Sequence, residues 1–176
     1  MRKKHIIYTF LIFAAFLCFA GQSAFAQVKW MSWEEMLIAS KKEPRKVFVD
    51  VYTNWCHWCK KMDAHTFRDP AVSEYLNQHF YCVRFNAETP ETIYFKGKAY
   101  YFNKSAGHHE LAARILNNRM SYPSMVFLDE DLQVIQPIPG FKKPEDFQII
   151  ISYFATGHYM KTPWAVYKSK FSKSGK

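Results

Sequence analysis

Two cysteines three positions apart, in Trp55-Cys56-His57-Trp58-Cys59, are the residues of this chain best suited to chemistry. At that separation the thiols can share one helix start or close a small disulfide ring. Disulfide exchange proceeds by attack of a thiolate on a disulfide sulfur. The N-terminus of a helix favours that thiolate through its unpaired N–H groups and its dipole. The same spacing would also supply half of a four-ligand zinc site. A zinc site needs two more ligands, and there is no second Cys-x-x-Cys. His57, His65, His108 and His109 match no familiar finger or ribbon spacing. The pattern favours redox chemistry carried by the dithiol, with no metal and no other cofactor.

The flanking segments place the pair at a strand-to-helix junction. Residues 47–53 are β-branched and aromatic and predict a buried strand, while 60–65 lack glycine and proline and predict a helix. Upstream, Trp33, Met36, Leu37 and Ala39 predict an amphipathic helix over 30–40, with Ser32 as its N-cap. Asp69-Pro70 predicts a restart into a helix carrying Val72, Tyr75 and Leu76 on one face. A strand over 80–86 follows. Residues 92–102 then suggest two short aromatic strands around Lys96-Gly97, within an insertion over 87–107. Strand alternation turns Tyr94 and Tyr101 outward if Ile93 and Phe95 face the core. Helical spacing returns over 108–117. An antiparallel hairpin is expected from 124–128 and 132–136 about Asp129-Glu130-Asp131, and a helix over 144–154 closes the pattern. This order predicts an α/β fold with a central mixed β-sheet flanked by helices.

The start of the chain bears on compartment. Arg2, Lys3 and Lys4 precede an almost entirely apolar stretch over 6–20, and Ala24-Phe25-Ala26 offers small residues for cleavage. This is the pattern of a secretory signal peptide over 1–26, which implies a periplasmic or secreted protein. The apolar stretch is short for a spanning anchor. Cys18 follows Leu17, a poor context for lipidation, and is expected to leave with the leader. A single domain over 27–160 is expected, followed by a basic tail over 161–176. Cys82, alone in an apolar strand, is expected to be a buried core thiol. The net charge of +9 is scattered, which suggests a solvated basic surface rather than nucleic-acid binding.

The element order, with Cys-x-x-Cys after the first central strand, resembles the thioredoxin superfamily, and in particular secreted bacterial members with a Trp-Cys-x-x-Cys-Lys-x-Met stretch. Tyr122-Pro123, just before the hairpin, matches the family's cis-proline, which lies against the dithiol and beside an extended substrate. Only proline adopts that geometry at modest cost. Asp50, six residues before Cys56, matches the family's buried proton-relaying acid; an aspartate facing solvent is the alternative. Arg84 lies near the place of the basic residue that accompanies this acid, and Gly140 matches a glycine beside the active site. His57-Trp58 replaces the usual Gly-Pro, the usual proline kink of the second helix is missing, and the aromatic insertion has no thioredoxin counterpart.

The resemblance implies a protein-disulfide oxidoreductase that acts on disulfides of exported proteins and exchanges electrons with a membrane thiol-disulfide donor. Cys56, at the exposed end of the helix, would attack, Cys59, one turn deeper, would resolve, and Asp50 would take the Cys59 proton. Trp55, Tyr122 and Pro123 would contact substrate, while His57, Trp58 and Arg84 would tune the dithiol. A monomer that reduces or isomerises disulfides is the favoured expectation. An oxidase of exported proteins and a non-catalytic binding module are the alternatives.

Overall fold

The structure is a computed structural model that describes residues 27–174. The expected leader over 1–26, with Cys18, lies outside the described residues. The β-branched run Val47–Tyr52 forms β2, at the centre of a five-stranded sheet. Its side chains alternate between two cores. Val47, Val49 and Val51 enter one cluster, and Phe48 enters the other. On one side of β2 runs β3 (Tyr81–Asn86), parallel; on the other runs β8 (Ser124–Leu128), antiparallel. The parallel β1 (Trp30–Met31) extends the sheet beyond β3, and the antiparallel β9 (Val134–Pro139) extends it beyond β8. The mixed sheet is the expected one.

A parallel pair needs a crossover, and α2 (His57–His65) and α3 (Pro70–His79) supply it between β2 and β3. Together with α5 (Pro144–Ala155) they cover one face of the sheet. Met62, Leu76, Phe147 and Ile151 pack there with Phe48 and Phe127. Each such side chain contributes roughly 1.5–3 kcal/mol when fully buried, so this cluster fixes α2 against the sheet. The opposite face is covered by α1 (Trp33–Lys42) and α4 (Glu110–Ile115). Ser32 caps α1 in a reciprocal box with Glu35, and Asp69 caps α3 directly ahead of Pro70.

Several boundaries depart from expectation. Residues 30 and 31 pair with Cys82 and Val83 as a strand, so the first helix starts only after its cap. The second hairpin strand begins later than expected because the turn is longer. Asp129 Oδ1 accepts the N–H groups of Asp131 and Gln133, and Leu132 takes a positive φ of 58°. The strand then runs through Pro137 and Pro139, which an edge position tolerates. His108–His109 pairs with Phe102–Asn103, as β7 with β6, before α4 begins. The basic tail is helical over Trp164–Ser174 (α6), where Trp164 and Tyr167 pack against Tyr153 of α5.

In the insertion, β4 (Ile93–Phe95) and β5 (Lys98–Tyr100) form an antiparallel ribbon. Phe95 and Tyr100 are buried, while Tyr94 and Tyr101 face outward as alternation requires. Phe95 stands edge-on to Trp33 at 5.1 Å.

Candidate redox site

Beyond β2, Thr53, Asn54 and Trp55 turn the chain into α2, whose N-cap is Cys56. Cys56 Sγ accepts the Cys59 N–H at 3.1 Å, and the two sulfurs form a disulfide with Cα atoms 5.3 Å apart. An N–H aimed at Sγ from a helix start stabilises negative charge on that sulfur. Reduction of the pair therefore favours Cys56 as the thiolate. The expected contrast between an exposed Cys56 and a deeper Cys59 is not found, since they are 4% and 3% exposed. Capping sets Cys56 Sγ against the helix start, so the two residues differ in the N–H that reaches Cys56 Sγ and not in burial.

Asp50 is buried on the α2 face of β2, opposite Arg84 in one ladder and Met125 in the other. Its Oδ1 has no hydrogen-bond partner, and its Oδ2 lies 3.6 Å from Arg84 Nε. Burial pushes this carboxyl up to about 7, against the pull of the Arg84 charge, with Asp63 adding a smaller upward push. The guanidinium also pairs with Asp63 of α2 and lies over the rings of Tyr52 and Trp30, at 4.7 and 5.7 Å. A carboxyl balanced near neutrality in the strand that feeds the dithiol is suited to take and return a proton.

Two aromatic pairs flank the cysteines. Trp55 is 66% exposed, stands edge-on to Tyr122 at 5.9 Å, and donates its indole N–H to Glu88 at the foot of the insertion, 2.8 Å away. Tyr122 precedes Pro123 through a cis peptide bond. Trp58 lies 5.5 Å from Phe141, with Lys61 Nζ above its ring at 4.9 Å. His57 is exposed and leans on Trp58. Gly140, at φ 84°, donates its N–H to Pro123 O at 2.8 Å, joining the end of β9 to the proline loop.

Asp50 is thus brought to Arg84, and Trp55 to Tyr122, whereas His57 meets the neighbouring ring of Trp58. The sequence reading overlooked Asp63, Glu88, Phe141 and Lys61. Asp63 carried a usable signal, since it lies four residues after Cys59 and so on the same helix face. Glu88 and Phe141 carried none, because their partners are distant in sequence. Cys82 is a buried free thiol whose burial pushes it up to about 12, so it is unsuited to exchange. No group of three or more His, Cys, Asp or Glu among the described residues is arranged to hold a metal ion.

Comparison with known proteins agrees with this fold. Residues 16–150 match the family Thioredox_DsbH, described as "Protein of unknown function, DUF255". The solved structure of a DsbH oxidoreductase superposes with a TM-score of 0.53 at 15% identity, covering 77% of this chain and 89% of that one. A thioredoxin-fold protein from Helicobacter pylori gives 0.57 at 19% identity, covering 88% and 91%. Mouse spermatogenesis-associated protein 20 is 34% identical over 68 residues, which is 38% of this chain and 9% of that protein. The thiol:disulfide interchange protein DsbD of Pectobacterium atrosepticum is 42% identical over 40 residues, 23% of this chain and 7% of that protein. The chain spans only 9% of the mouse protein and 18% of a Caenorhabditis elegans relative. With a thioredoxin fold and a Cys-x-x-Cys pair suited in general to thiol-disulfide oxidoreduction, the chain belongs to the Thioredox_DsbH family of the thioredoxin superfamily.

Proposed function

We propose that this protein is a thiol-disulfide oxidoreductase of the cell envelope that reduces or isomerises disulfides of exported proteins. The observation that carries the reading is Cys56 capping α2, with its sulfur receiving the Cys59 N–H, directly downstream of the strand that holds Asp50. The Cys56 thiolate attacks a substrate disulfide, forms a mixed disulfide and expels the other substrate thiolate. Cys59 then gives its proton to the Asp50 carboxylate, and its thiolate attacks Cys56 Sγ. The Cys56–Cys59 bond forms and the second substrate thiolate leaves, so the substrate gains two electrons and the enzyme loses two. Asp50 afterwards releases its proton to solvent.

The oxidised pair must then be reduced by another dithiol. The short stretch shared with DsbD supports a membrane thiol-disulfide donor for that step, and the leader pattern over 1–26 supports the compartment. Asp50 with Arg84 beside it resembles the proton-handling set of reducing thioredoxins, and that resemblance supports reduction over oxidation of exported proteins.

Single cysteine variants test the reading. Cys56→Ser abolishes reduction of a model protein disulfide, while Cys59→Ser retains the first attack and accumulates mixed disulfides separable on a non-reducing gel. Wild-type reductase activity in both variants would overturn the proposal.

A further inference from the structure

Arg84 faces two carboxylates and satisfies them unequally. Its Nη2 is hydrogen-bonded to Asp63 Oδ2, whereas its Nε stays 3.6 Å from Asp50 Oδ2 and makes no hydrogen bond. Asp50 is buried, with its side chain 2% exposed, whereas Arg84 and Asp63 both reach the surface, at 31% and 32%. Asp63 sits on α2 one turn beyond Cys59, so the helix that carries the dithiol also carries the group that anchors the guanidinium. A cavity of about 210 Å³ opens beside Asp63 and Arg84, between Trp30 and Phe67. It brings Arg84 and Asp63, and not Asp50, to solvent.

We propose that Asp63 is a positioning residue that holds the Arg84 guanidinium off Asp50 and so keeps Asp50 able to accept the Cys59 proton. The argument rests on the proposed redox role of Asp50 and adds a residue to it. A guanidinium released from Asp63 is already in register with Asp50 across the β2–β3 ladder and can turn its fork to that carboxylate. A fully paired Asp50 carboxylate is a weaker base. Loss of the Asp63 negative charge acts in the same direction.

The charged groups bearing on Asp50 are Arg84 from β3 and Asp63 from α2. Its β8 neighbour is Met125, and α5 brings the apolar Phe147, Ile150 and Ile151 to this core. Cys59 is uncharged in the disulfide.

The test is a titration of the Asp50 carboxyl by carbon-13 NMR in the disulfide form of the full chain, with Asp63→Asn and Asp63→Glu beside the wild type. Asp63→Asn should move the Asp50 midpoint down by about one pH unit or more. Asp63→Glu, which restores the anchor, should return it to within a few tenths of a unit of the wild type. The pH dependence of turnover on a model disulfide should shift in parallel. An unmoved Asp50 midpoint in a folded Asp63→Asn protein would overturn the proposal. Because the titration needs no turnover, a wild type inactive toward disulfides would count against the redox reading alone.

Discussion

A carboxyl buried to 1% exposure with one oxygen unpartnered is a strain on the fold, and the strain depends on pH. The folded-state value for Asp50 lies above its unfolded value of 3.8, at about 7. The folded protein therefore retains a proton that the unfolded chain has lost. The Asp50 contribution to stability falls as pH rises from about 4 to 7, and the penalty is constant above that. Over that span it reaches about 4 kcal/mol. Asp50→Asn removes it while Arg84 keeps Asp63 as a partner. Urea unfolding should show the variant and wild type equally stable near pH 4, with the variant more stable by up to about 4 kcal/mol at pH 8. Turnover at neutral pH should fall in the same variant. A stability difference that does not change with pH would show that Asp50 is not a buried titrating group. The dithiol was legible because its spacing follows from one strand and one helix start, and the burial of Asp50 was expected from the thioredoxin resemblance and from its apolar neighbours. Asp63 was harder to see, since its partner Arg84 comes from a strand whose register only the assembled sheet defines.

At the level of elements, the aromatic ribbon inserted between β3 and α4 is anchored by its inward rings. Phe95 packs on Trp33 of α1, which also meets Phe85 of β3. His109 is fully buried; its ring lies 3.0 Å from the Glu91 carbonyl and accepts the Leu111 N–H, which pins the far end of the insertion. Phe95→Ala should cost about 3–5 kcal/mol by chemical denaturation. Tyr94→Ala, at a site 69% exposed, should change stability by no more than about 0.5 kcal/mol. A loss below about 1 kcal/mol in Phe95→Ala would mean that the ribbon is not part of the core. Alternation in the sequence was enough to orient this ribbon. Its link to the redox site was not legible, because it runs through one hydrogen bond from Trp55 to Glu88. The second strand of the hairpin was placed too early, and the C-terminal helix was not foreseen, for a related reason. An Asx-type turn lengthened the hairpin, and packing of Trp164 and Tyr167 on Tyr153 ordered the helix; neither contact follows from local composition.

Across the whole molecule, two apolar clusters cover the two faces of the sheet, and one line of ion pairs runs from Asp50 through Arg84 to Asp63 on the α2 face. The buried Cys56 and Cys59 are flanked in the chain by two paired rings, Trp55 with Tyr122 of the proline loop and Trp58 of α2 with Phe141, the residue after Gly140. The proposed activity requires this pair to cycle between dithiol and disulfide, whereas a structural staple would rest permanently in one state. The equilibrium reduction potential of Cys56–Cys59, measured against glutathione, separates these most directly. The account predicts reversible two-electron exchange with a potential between about −270 and −180 mV, the span from thioredoxin to disulfide isomerase. A pair that stays oxidised throughout, with a potential below about −300 mV as in inert structural disulfides, would contradict it.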